Sequence, residues 1–230
     1  MPSPNELWFA ARMTRIVYMP RKLLETFGET YVSYSVVSPI EGDEEHVRLR
    51  RGIVRSSRPL VVTPQYYRSQ MLENFGEDAK SYLDEVLSRQ DSLRIIQYGL
   101  RFMKEEHSEE VVGGEANEVA DQLARSAQDD NQQVQGVLVG PDQFWEISLL
   151  IFINELVKQS APRNVRDMAR DGMFGLDRGV PLGVRQELDA DFQACDTLDK
   201  AEDLGRKLRD YGLFEQYEDA FFELYMKLKG

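Results

Sequence analysis

The 230 residues weigh 26.5 kDa, more than one average domain and less than two, long enough to bury a core without disulfide or metal staples. Apolar residues make up 42% of the chain and charged residues 30%, which excludes a disordered or collagen-like polymer. A net charge of −12 and a pI near 4.8 exclude a generic coat for nucleic acid, which needs an excess of cations.

In chain order, Met13-Thr-Arg-Ile-Val-Tyr-Met19 alternates and is β-branched, and predicts a strand. Pro20 suits the first position of a short helix with Leu23, Leu24 and Phe27 on one side and Gly28 as its stop. Tyr31–Val37 is a second strand, Pro39–Glu44 has turn residues, and His46–Arg50 returns as a third strand, completing a hairpin. Gly52 marks a bulge or second turn before Ile53 and Val54, and Leu60–Val62 is a further extended piece. Thr63-Pro64 caps and opens a helix with Tyr67, Met71 and Phe75 four apart. A clearer helix follows Gly76, where Ala79, Tyr82, Leu83, Val86 and Leu87 form one buried stripe.

Leu93–Met103 predicts a long strand, followed by a charged connection and a helix with Ala116, Val119, Ala120 and Leu123 inward. Val134–Val139 is an apolar strand of the kind buried on both faces. Beyond Pro141 the pattern is helical throughout. Asp142–Lys158, capped by Asp142, is apolar round most of its circumference, and Pro162 starts a short helix ending near Gly172. Gly172–Gly183 is irregular, and helices follow over about 183–195, 198–211 and 214–228, with Asp196 or Thr197 as a cap and Gly212 as a stop. The expected class is α+β: a mixed five- to six-stranded sheet with helices packed on it over residues 1–140, then an all-helical part over 141–230 sharing one core with the first.

The most apolar stretch, Phe144–Val157, has 14 residues and contains Glu146, Asn154 and Glu155, so no membrane span is expected. The first residues lack a basic region followed by an apolar one, so no secretory signal is expected. Cys195, the only cysteine, excludes an intramolecular disulfide and a thiolate metal cage and points to the reducing cytoplasm. It lines up with Val184, Leu188 and Phe192 as a small buried residue.

Charge is uneven: residues 1–70 carry ten basic side chains against seven acids, the remainder 18 against 33. The basic hairpin is the first candidate site. His46, Arg48 and Arg50 share one strand face, with Arg51 and Arg55 close behind, and guanidinium forks match phosphate oxygens. Tyr31, Tyr34, Tyr66 and Tyr67 are near enough in sequence to supply stacking surfaces. A solvated edge hairpin would show the same alternation. The second candidate is Lys104–Glu110, where His107 and Glu110 would share a helix face with Glu106 and could act as acid–base groups or metal ligands. The third is the C-terminal seam of Phe214, Tyr217, Phe221, Leu224 and Leu228, widened by Tyr225, which packs either on the 198–211 helix or on a partner. No phosphate-binding loop, dinucleotide loop or nucleophile elbow is present in the sequence.

The leading expectation is therefore a non-catalytic cytoplasmic protein acting through protein–protein contacts, as an adaptor or homo-oligomer, without cofactor or metal. Binding of RNA or a nucleotide through the basic hairpin is the alternative, and an enzyme using Glu106, His107 or Glu110 the third.

Overall fold

The computed structural model describes residues 4–62, 72–88, 97–100, 102–129 and 133–229. Its elements are α1 (Pro4–Met13), β1 (Arg15–Tyr18), β2 (Thr30–Ile40), β3 (Asp43–Ser56), β4 (Leu60–Val62), β5 (Leu72–Glu73), α2 (Glu77–Ser88), β6 (Gln97–Gly99), β7 (Phe102–Gly113), α3 (Ala116–Asp129), β8 (Val134–Val139), α4 (Trp145–Arg170), β9 (Leu176–Asp177), β10 (Val180–Pro181), α5 (Leu182–Ala194), α6 (Leu198–Asp210) and α7 (Phe214–Lys229). The class is α+β, with a mixed six-stranded sheet early and a helical region, α4–α7, late. Contacts group the described residues of 1–59, 71–91 and 100–165 into one compact unit, and those of 60–70, 92–99 and 166–230 into another. The division at residue 140 follows secondary-structure type, whereas these units follow packing.

The first unit holds the six-stranded sheet, in the order β1-β8-β2-β3-β7-β5. β2 and β3 form a long antiparallel hairpin from Thr30↔Ser56 to Ile40↔Asp43, turned by Gly42 at φ 79°. β8 lies parallel to β2 and antiparallel to β1, and Val137 and Leu138 are fully buried, as expected of an interior strand. The pleat sends Val37, Val47, Leu49 and Val137 to one face, where Ala116, Ala120 and Ala127 of α3 cover them. The opposite face receives α4, whose Phe152 ring sits against Gly136 of β8. Leu7 and Ala10 of α1 pack with Ile147 of α4 and Tyr82 of α2. α1 was not anticipated, although Pro4 at its start and the Leu7, Ala10, Ala11 spacing are helical signals.

Three local expectations are corrected within this unit, and a fourth, the bulge or second turn at Gly52, resolves as a bulge. The 20–28 stretch is not a helix. Its backbone donors are met by side chains instead, with Leu24 N donating to Ser160 Oγ at 3.1 Å and Glu25 N to Thr30 Oγ1 at 2.9 Å. The charged connection after Met103 is strand β7, because its glutamates pair with arginines across the ladder. Asp142–Lys158 and the helix after Pro162 are one 26-residue helix, α4, with Pro162 inside it. Ser160 and Asn164, both buried, bond to Leu24 N and Thr26 Oγ1, anchoring the helix on either side of the proline. β3 runs straight through Gly52, and the irregularity there lies in the ladder: Gly52 pairs with His107 and Val54 with Lys104, so β7 carries one extra residue.

The Leu93–Met103 strand is in two parts where it is described: β6 pairs with β4, and β7 starts at Phe102. Leu93–Ile96 and residues 63–71 of the expected Thr63–Phe75 helix lie outside the described residues, and the rest of that stretch is not helical: Leu72 and Glu73 form β5 and Phe75 is in a loop.

The second unit is built on Val61, Met168, Met173, Val184, Leu188, Leu204, Leu208 and Phe221. The glycine-rich 172–183 stretch contains a small antiparallel hairpin, β9–β10, turned by Arg178 at φ 51° and Gly179 at φ 80°. Thr197 Oγ1 accepts from Lys200 N at 3.3 Å and caps α6, and Gly212 ends it at φ 67°, both as the sequence predicts. Lys207 of α6 meets Glu187 and Asp191 of α5. α6 and α7 pack closely, the Phe221 ring lying on Gly205.

Gly136→Ala should destabilise the first unit by about 1–3 kcal/mol, because its methyl would lie inside the contact distance of the Phe152 ring. Urea unfolding followed by circular dichroism checks this, and Gly172→Ala, with open space around it but φ at 74°, isolates the backbone contribution.

Candidate functional site

The basic hairpin does not form one patch. The pleat places His46, Arg48 and Arg50 on the α4 face of the sheet and Arg51 and Arg55 on the other. Each cation meets a carboxylate. Arg50 Nε lies 2.7 Å from Glu109 Oε2, and its Nη2 lies 2.7 Å from Asp142 Oδ1. Arg48 uses the same two acids, at 2.8 and 3.4 Å. Arg51 pairs with Glu110 at 2.6 Å, Arg55 with Glu29 at 2.7 Å and Glu105 at 3.0 Å. His46 Nδ1 reaches Asp43 at 3.0 Å, and that contact holds the Asp43 carboxyl below its usual range. A phosphate would have to displace a carboxylate at each arginine. Asp142, expected as a helix cap, serves these arginines instead.

Arg50 is almost fully buried, and its guanidinium lies 5.3 Å from the centre of the Trp145 ring. The same ring stacks on Tyr34 at 6.0 Å and on exposed His107 at 5.2 Å, with Lys104 Nζ 5.0 Å from its centre. Lys104 pairs with Glu146, whose Oε2 accepts from Gly76 N at 2.7 Å. Trp145 was missed by sequence reasoning, for want of any signal that strands about 40 to 110 residues away would converge on it. The Tyr34 hydroxyl is buried and makes no hydrogen bond among the described residues. Burial first, and then the Glu146 charge, push its phenol well above the usual value, partly offset by Arg50.

His107 and Glu110 are on a strand, not a helix, and face opposite sides: His107 rests on Trp145, and Glu110 pairs with Arg51. The structure does not bring them together as an acid–base or ligand set, and the Glu106 side chain is not among the described ones. Among the described residues, no three of His, Cys, Asp and Glu converge on a metal position. Tyr31 is exposed, and Tyr66 and Tyr67 lie outside the described residues. Cys195 is buried at the C-terminal cap of α5, and burial raises its thiol pKa.

The C-terminal seam is occupied from within. Phe221 is buried in the second unit's core, and Phe214, Tyr217, Leu224, Tyr225 and Leu228 pack against it. Arg185 of α5 donates to Tyr217 Oη at 3.1 Å. Phe222 and Met226 stay exposed on the outer side of α7.

Two features remain open. An open concavity of about 500 Å³ lies between the C-terminal half of α3 and the sheet, lined by Ser33, Ser35, Arg51, Leu123, Ser126 and Gln135 among others. The outer edge of β7 is the other. β5 pairs only with Phe102 and Met103, so from Lys104 to Gly113 that edge meets no strand among the described residues. Asn74 Nδ2 donates to the Lys104 carbonyl at 3.2 Å and closes its first position.

Comparison with protein families, curated proteins and solved structures finds no match. No helix among the described residues is long and apolar enough to cross a membrane.

Two expectations test these assignments. An unfolded tyrosine ionises near 10.0, whereas folded Tyr34 holds its proton above that, so stability is complete below this pH and falls as pH climbs past it. Tyr34→Phe should leave stability at neutral pH unchanged or slightly raised and flatten the alkaline loss, read by thermal melts across pH. Phe221→Ala should cost about 3–5 kcal/mol in urea unfolding, and the exposed neighbour change Phe222→Ala less than about 1.

Proposed function

We propose that this chain is a non-catalytic protein-interaction module that takes an extended, basic segment of a partner as an added strand along β7. The observation that supports this reading is the edge from Glu105 to Gly113, which meets no strand among the described residues. Its backbone is already held in strand geometry by β3, so an incoming strand gains a hydrogen-bond ladder without reordering its host.

Charge selects the occupant. Glu105, Glu109 and Glu110 are engaged by arginines of β3, so the free charge beside this edge comes from the adjoining β2–β3 turn, where Glu41, Glu44 and Glu45 are exposed and without an ion pair among the described residues. Two copies of the edge would each bring an unneutralised acidic turn, which disfavours self-pairing. A strand with lysine or arginine at alternate positions is complementary.

Hydrogen exchange with a synthetic peptide alternating lysine and valine is the test. New protection of 104–113 that fades with salt, with none from a glutamate–valine peptide, supports the module. Equal protection by both peptides, no protection by either, or dimerisation of the chain through β7 at tens of micromolar overturns it.

A further inference from the structure

We propose that the concavity beneath the C-terminal half of α3 is a binding site for an uncharged polyhydroxyl molecule of monosaccharide size. Along this face the sheet changes character. Under the first half of α3 it presents Val37, Val47, Leu49 and Val137. Further along the same strands the positions on that face become Ser35 and Ser33 on β2, Arg51 and Ile53 on β3, and Gln135 on β8. α3 ends over them with Leu123, Ser126 and Ala127, leaving space rather than contact.

Ser35 gives the space its meaning. It is 2% exposed, sits beside Val137, and lines the concavity, yet its hydroxyl has no hydrogen-bond partner among the described residues. A valine there would extend the apolar face, whereas the serine presents a hydroxyl that both donates and accepts. Gln133 and Gln135 at the rim also spend no side-chain hydrogen bond on the described residues. The unspent groups are hydroxyls and amides, which both donate and accept, as sugar hydroxyls do.

The walls argue against the other ligand classes. Arg51, the one arginine or lysine among the described lining residues, is held by Glu110 at 2.6 Å, so an anion would meet a carboxylate as well as a guanidinium. Aromatic ligands lack a platform, because Tyr34 and His107 turn their rings to the other face of the sheet, against Trp145. Ile53, Leu123 and Ala127 offer a short apolar strip suited to the C–H face of a sugar ring. The volume, about 500 Å³, accommodates one such ring with its hydration. This site lies on a sheet face and not on the β7 edge, so either proposal can fail alone.

Nitrogen–proton correlation spectra of the full chain, titrated with D-glucose and separately with inorganic phosphate, test it. Saturable shifts of amides at 33–35, 51–53 and 123–135 with glucose, at a millimolar Kd that Ser35→Val weakens at least tenfold while the melting temperature holds or rises, support the site. Gln135→Leu is the second variant and should weaken binding similarly. No shifts at tens of millimolar glucose, shifts unaltered in both variants, or shifts with phosphate but not glucose overturn it.

Discussion

The charge lattice between β3 and β7 is the constraint on which the sheet's outer half depends. β7 contains Lys-Glu-Glu-His-Ser-Glu-Glu, a run with little propensity for a strand, and nothing local makes it extended. It is extended because Arg50 stands directly opposite Glu109, while Arg48, Arg51 and Arg55 meet Glu109, Glu110 and Glu105. A slip of one residue would carry Glu109 to the other face, away from both of its arginines. Register here is fixed by ionic matching where the rest of the sheet is fixed by burial. The extra residue on β7 opposite Ile53 lets Glu105 meet Arg55 while Glu109 and Glu110 keep their own partners.

Alternation also decides what the basic run can do. Arg48 and Arg50 go to one face, Arg51 and Arg55 to the other, and each group is neutralised separately. On the α4 side the result is a closed cluster in which Trp145 supplies the surface against which Arg50, Lys104, His107 and Tyr34 are ordered. On the α3 side the ion pairs are as short but more exposed, and polar groups around Ser35 keep unspent hydrogen-bonding capacity. The two sides of one strand thus carry different chemistry.

Much of the fold was legible because its signals are local. The β2–β3 hairpin, the interior strand β8, the alanine stripe of α3, the Thr197 cap and the Gly212 stop each follow from neighbouring residues. What was not legible depends on distant partners. Ser160 and Asn164 draw the 24–26 backbone away from a helix, and the arginines of β3 turn an acidic run into a strand. The candidate sites suffered most from this. Arg50 reads in sequence as a free cation and is in fact buried between two acids, and His107 and Glu110 read as neighbours and lie on opposite faces. Ser35 gave no signal at all, since a serine in a strand is unremarkable until its surroundings are known to be valine.

The strand order has a consequence for how the chain is assembled during synthesis. Among the described residues β1 pairs only with β8, more than a hundred residues later in the chain. As the polypeptide leaves the ribosome, β2 and β3 can zip from their two-residue turn at once, but β1 must wait, an unmatched apolar strand, until residues 134–139 emerge. The N-terminal strand is thereby the last to join the sheet it precedes, and its arrival reports that β8 has already been inserted.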